Sequence, residues 1–330
     1  MSRMLLAAAL LALSATAAAD LTCARPSDGG NIVDLVGYWP MDTTSQAEDA
    51  SGSGYHLSKY KLTAGPDFIS GGPLSDGFAS FTPGGSTSEL DVLWVKEFDP
   101  RSSENGGSYT WEFWYRLDAD DNDNSPHGDW FVSYAVNDIP FPTGNCASTK
   151  CATANEFFMS TGSGGSNKCA AGWNGVVGGG AELCDESGVW HHMAFSVDLP
   201  QQSAKLYVDG VLQRHDSNYD AEPLRCAEYN GTECILGGTL AFGAELDFLN
   251  DATFQQGQRL AGAMTEIRYW NTARTQDEIL ELMNFRLEEL DCGVYEKGET
   301  CNETESKACH GLAYCERIDG AGQCFCEMGM

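Results

Sequence analysis

Residues 188–212 read GVWHHMAFSVDLPQQSAKLYVDGVL. In the first half Val189, Met193, Phe195 and Val197 fall on one face, and Trp190, His192, Ala194 and Ser196 fall on the other. This period of two predicts a half-buried strand. The second half sets Leu206 and Val208 against Lys205 and Tyr207, then reaches Asp209-Gly210 before Val211. Asp-Gly between two apolar runs suits a two-residue turn with positive φ. The stretch therefore predicts an antiparallel hairpin in a sheet with one face in a core.

The same alternation recurs outward from this hairpin. Ser108–Leu117 places Tyr109, Trp111, Phe113, Tyr115 and Leu117 on one face and Thr110, Glu112, Trp114 and Arg116 on the other. Five large apolar groups in a row predict a core strand. Further strands are expected at Val33–Met41, Gly77–Thr82, Leu90–Val95, from Trp130 through Tyr134, at Phe157–Met159, Leu240–Gly243 and Met264–Trp270. Pro40 suits the end of an edge strand, since it has no N–H for a ladder. Thr275-Gln-Asp-Glu278 ahead of Ile279, Leu280 and Met283 is a capping box opening a short terminal helix.

Four pieces in order carry a family resemblance: VGYWPMD with DASGSGYHLS, SYTWEFWYRLD, the opening hairpin, and LAGAMTEIRYWNTARTQDEIL. Together they resemble the laminin G-like/pentraxin group of concanavalin A-like jelly rolls, from about Asp34 to Met283. The resemblance implies an all-β jelly-roll sandwich with a short C-terminal helix. It also implies extracellular recognition of glycans or glycoproteins as the usual role of the group. Fold alone does not assign that role.

The chain has 330 residues, with 19 Lys+Arg against 48 Asp+Glu and a net charge of −29. Such a surface repels phosphates and anionic membrane, so nucleic acid is not an expected partner. Residues 1–19 combine Arg3, an apolar run from Met4 to Leu13 and the small residues Ala17-Ala18-Ala19, a secretory signal cut before Asp20. The run is short for a bilayer span, and no other stretch approaches ~20 apolar residues. The expected location is secreted, or the ectodomain of a longer membrane-anchored protein.

All 13 cysteines follow the signal, which makes disulfides the default reading. Cys146/Cys151, Cys169/Cys184 and Cys226/Cys234 are near neighbours and read as loop staples, while Cys23 and Cys292 flank a domain spanning 20–292 and would join its ends. No CxxC is present and the histidines are scattered, which argues against zinc. Asn230-Gly-Thr232 and Asn302-Glu-Thr304 are glycosylation sequons. In 293–330 the cysteines from Cys301 to Cys326 are spaced x7, x5, x8 and x1, which resembles a partial epidermal growth factor-like module. That resemblance implies Cys301–Cys315 and Cys309–Cys324 pairs and leaves Cys326 without its partner. The expectation is a piece of a longer extracellular protein.

Three features bear on ligands. Trp114, on the polar face of its strand, could stack on a sugar or lie under a neighbouring element. The loop 118–129, DADDNDNSPHGD, gathers Asp118, Asp120, Asp121, Asp123 and Asp129, an oxygen density that suits calcium or a plain solvated loop. Asp49, in the turn 49–56, is either a turn cap or a calcium ligand of the kind some family members have around this turn. Site expectations are therefore Trp114 for ligand and Asp118, Asp120, Asp123 or Asp49 for calcium.

An enzyme of this fold would carry E-x-D-x-x-E, as in laminarinase-type hydrolases. Here the nearest approach is Glu245-Leu-Asp247-Phe-Leu-Asn250, with an amide at the acid position. His191-His192 has no G-x-S-x-G nucleophile motif beside it. The expectation is a non-enzymatic recognition module, with a structural spacer as the alternative and a laminarinase-like hydrolase behind both.

Overall fold

The computed structural model describes residues 34–59, 65–74, 77–81, 91–101, 104–118, 129–136, 157–161, 169–172, 177–178, 187–219, 224, 228–229, 234–246, 254–287, 313–318 and 321–326. The chain divides into two compact units, residues 31–286 and a second made of 1–30 with 287–330.

In chain order the strands are β1 (Leu35–Trp39), β2 (Ser58–Lys59), β3 (Asp67–Ile69), β4 (Phe78–Phe81), β5 (Leu93–Phe98), β6 (Tyr109–Leu117) and β7 (Trp130–Ala135). Next come β8 (Phe157–Thr161), β9 (Cys169–Gly172), β10 (Val177–Gly178), β11 (Trp190–Asp198), β12 (Ser203–Val208) and β13 (Val211–Asp216). Then follow β14 (Glu228–Tyr229), β15 (Cys234–Leu236), β16 (Gly238–Phe242), β17 (Ala244–Leu246), β18 (Phe254–Arg259) and β19 (Gly262–Trp270). Helix α1 (Gln276–Leu282) closes the first unit; the second holds the hairpin β20 (Ala313–Ile318) and β21 (Ala321–Cys326), whose register sets Cys315 opposite Cys324.

Two antiparallel sheets form the sandwich. One runs β13-β12-β11-β6-β19-β4-β3, with β1 also paired to β19; the other runs β10-β9-β8-β7-β16-β5-β2. Between them pack inward residues of β1, β5, β6, β8, β11, β16 and β19: Trp39, Trp111, Phe113, Phe98, Phe157, Phe195, Phe242 and Tyr269 are all 1% exposed or less. Trp111 stacks 6.0 Å from Phe157 and 6.5 Å from Trp39. Each such ring contributes roughly 1.5–3 kcal/mol of apolar transfer, so this aromatic seam is the main attraction between the sheets.

The central hairpin forms as its residues dictate, with Asp209 at φ 51° and Gly210 at φ 70° in the turn. A Cβ at Gly210 would also fall 2.2 Å from Leu280, so glycine is needed there for space as well as for conformation. The half-buried expectation for β11 needs correcting. His192, Ala194 and Ser196 on its outer face are as buried as the inner face. Helix α1 accounts for this, with Ile279 packing on Ala194 and Tyr207, and Ser196 donating to the Arg274 carbonyl at 2.8 Å. The helix starts on its capping box. The Glu278 N–H reaches Thr275 Oγ1 at 3.3 Å, and the Thr275 N–H reaches Glu278 Oε2 at 2.6 Å.

Candidate functional site

A layer of buried charge lies on the outer face of the eight-stranded sheet, next to α1. A bulge in β19 puts Glu266 at φ 53° and turns it toward the same layer as Arg268. Arg268 bonds Glu266 at 2.9 Å and lies 3.6 Å from Glu112, which also accepts the Trp270 indole N–H at 2.8 Å. Arg286 pairs with Asp42 and, at 3.5 Å, with Glu266. Burial pushes the Glu112 carboxyl up, but Arg274, Arg268 and His192 outweigh it and hold Glu112 below the usual carboxylate range. Burial also raises Glu266, and there it prevails over the same kind of partners.

These charges hold the end of the helix. Arg268 donates to the carbonyls of Leu282, at 3.0 Å, and Phe285, and the Trp114 indole N–H donates to the Met283 carbonyl at 2.7 Å. Trp114 therefore has its polar edge committed to the helix end, while the residue as a whole stays half-buried.

The same face stays open one row further along β6. Arg116 stands directly opposite Trp190 in the β6–β11 ladder, and both share the face of Trp114 and His192. Arg116 reaches over Ala263, its partner on β19, so that its guanidinium lies 5.2 Å from the Phe78 ring and 5.4 Å from Trp190. Phe78 and Trp190 meet edge to face at 5.3 Å. Asp118 holds Arg116 Nε at 2.9 Å and is itself held by the Ala261 carbonyl, which accepts its N–H at 3.0 Å. The side chains of Arg116 and Asp118 are 24% and 44% exposed, and Trp190 is half-buried.

Chemically this is a half-buried indole overlain by a fork of N–H donors, with a carboxylate acceptor next to the fork. An indole covers the C–H face of a sugar ring, while adjacent hydroxyls can accept from the guanidinium and donate to the carboxylate. The two aromatic rings and Asp118 fix the guanidinium before any ligand arrives, so little side-chain freedom is lost on binding. The signal in the sequence was Arg116 two residues beyond Trp114 on one face, with Asp118 two residues further on. What it lacked was the register that brings Trp190 alongside.

The other expected site residues separate. The Asp49 carboxylate accepts three backbone N–H groups, from Tyr38 at 3.1 Å, Ser51 at 2.9 Å and Tyr55 at 2.8 Å. Both its oxygens thus face hydrogen-bond donors, which suits a turn cap and does not suit a cation ligand. Of the acidic loop, Asp118 is on the platform, while Asp120 and Asp123 lie outside the described residues. Among the described residues no group of three or more His, Cys, Asp or Glu could hold a metal ion. Cys23, Cys146, Cys151, Cys184, Cys226, Cys292, Cys301, Cys309, Asn230 and Asn302 also lie outside the described residues.

Two arrangements bear on catalysis. His191 Nδ1 is 2.8 Å from Asp209 Oδ2, and Asp209 Oδ1 accepts the His192 backbone N–H at 2.8 Å. This closes the Asp-Gly turn onto β11; the outer nitrogen of His191 is buried and meets no partner. Glu245 is 5% exposed, on β17, and Asp247 and Asn250 lie outside the described residues. Among the described residues no helix is long and apolar enough to cross a membrane.

Residues 97–280 match the laminin G-type family model described as the concanavalin A-like lectin/glucanases superfamily, more than half of the chain. No curated protein sequence matches it. Among solved structures the chain is similar to domain 4 of AbnA, an extracellular GH43 arabinanase from Geobacillus stearothermophilus in complex with arabinotriose. That match has 16% identity and a TM-score of 0.47, covering 76% of this chain and 98% of that one. It is also similar to the binding domain of Paraclostridial Mosquitocidal Protein 1, with 13% identity, a TM-score of 0.49 and coverage of 77% and 52%. A third is the heptameric SAP-like pentraxin from Limulus polyphemus, at 15% identity, TM-score 0.37 and coverage of 52% and 68%.

Proposed function

The chain belongs to the concanavalin A-like lectin/glucanases superfamily, and from that premise we propose that it is a secreted recognition module that binds a glycan or glycoprotein without altering it. The observation that carries this reading is the platform of Trp190, Arg116 and Asp118, which joins a stacking surface to fixed donor and acceptor groups on an open part of the sheet. The non-catalytic part is supported by Asn250 where a hydrolase of this fold needs its acid, and by Asp118 being, among the described residues, the one carboxylate on the platform. Retaining hydrolysis needs two carboxyls about 5–5.5 Å apart.

The secretory signal, the disulfides and the growth factor-like module belong to the same proposal, as does calcium in the loop that begins at Asp118. A glycan array with and without calcium, run beside a β-glucan hydrolysis assay, tests it. Retention of a defined glycan without turnover supports the proposal. Sugar release by the wild type that Glu245→Gln abolishes would replace it with the hydrolase reading, and silence in both assays favours a spacer.

A further inference from the structure

We propose that Met283, at the end of helix α1, is an acid-released latch over His192: protonation of that imidazole lifts the helix end from the sheet and frees the indole N–H of Trp114. The geometry makes His192 the floor of the latch. In the row across the sheet it lies between Trp114, whose ring is 5.4 Å away edge to face, and the Asp209-Gly210 turn. Met283 bridges both ends of that row. Its carbonyl takes the Trp114 indole, and its sulfur is 3.3 Å from where a Cβ on Gly210 would stand.

His192 is 1% exposed; its Nδ1 has no hydrogen-bond partner, and its Nε2 is 4.0 Å from Glu112 Oε2. A proton added there enters a desolvated layer of paired charges, where the acid it faces is Glu112 Oε2, which has no hydrogen-bond partner of its own. The charged groups around it are Glu112 on β6, Arg268 on β19, Asp209 in the turn after β12, and Arg274, whose side chain reaches the Glu278 carbonyl on α1. Burial, only partly offset by Glu112 and Asp209, pushes the closed-state imidazole down to about 4. Once the latch opens, water restores its ordinary value near 6.5.

The open form therefore binds the proton and the closed form rejects it. The opening constant then rises roughly twentyfold between pH 7 and pH 5. Within this seven-residue helix the buried side chains are Ile279 and Leu282. So short an element can open without the sandwich.

Amide hydrogen exchange of the intact chain, corrected for intrinsic rates at each pH, reads that constant directly. Protection in the peptide 276–286 should fall about twentyfold from pH 7 to pH 5, and at pH 5 this peptide should exchange well ahead of strand β16. In His192→Gln the pH response of the peptide should vanish. Equal protection at both pH values, exchange in step with β16, or a response that survives in His192→Gln would overturn the proposal. The wild-type comparison with β16 decides the case if the variant does not fold.

Discussion

Arg268 and Glu112 are partners on adjacent strands, 3.6 Å apart, and neither is more than 1% exposed. Around them Glu266, Arg286, Asp42 and Arg274 complete a layer of three acids and three arginines, so among the described residues the charge beneath the helix balances. Balance makes the layer tolerable, and removing one member exposes the rest to the full penalty of burial. Arg268→Ala should lower stability by about 3–5 kcal/mol in urea unfolding, and should also loosen α1 through the carbonyls of Leu282 and Phe285.

The same pair fixes a direction for acid. Glu112 is held below its ordinary value, so its contribution is complete above the unfolded value and is lost as pH falls through the folded one. Glu112→Gln should therefore show a shallower loss of stability below pH 4.5 than the wild type, measured by melting temperature at stepped pH.

Asp49 offers a local test. With three backbone amides on one carboxylate, Asp49→Ala should cost roughly 2 kcal/mol or more, and by the same amount in calcium and in chelator.

Much of the fold was legible because alternation and turn chemistry agree. The Asp209-Gly210 hairpin, the aromatic face of β6 and the Thr275–Glu278 box all form as read. What the period of two could not tell is what covers the polar face. Glu112, His192 and Arg268 alternate with core residues as solvent-facing groups do, yet a helix lies over them. Trp114 and Arg116 share one face and one strand and are both half-buried, yet the Trp114 indole N–H is bound to the end of α1 while Arg116 lies over Trp190. Trp190 meets Arg116 across strands more than seventy residues apart in sequence, a register that no local turn specifies.

The acidic loop carries the calcium proposal. If Asp118, Asp120 and Asp123 hold the ion, their mutual repulsion in its absence makes the chain melt at a lower temperature in chelator than in calcium. Identical melting curves would remove calcium from the account.

Disulfide pairing is checked by non-reducing peptide mapping. Cys23 should be joined to Cys292, with the three loop pairs closed. A bond closing so long a loop should stabilise by about 2–5 kcal/mol. Cys23 found on a loop cysteine would contradict the arrangement.

The most direct measurement is calorimetric titration of the best glycan from the array into wild type, Trp190→Ala and Trp114→Phe, each checked for an unchanged circular dichroism spectrum. Binding at the platform predicts that Trp190→Ala weakens affinity roughly tenfold, the scale of one lost aromatic contact, while Trp114→Phe stays within about twofold of wild type. Wild-type affinity in Trp190→Ala would contradict it.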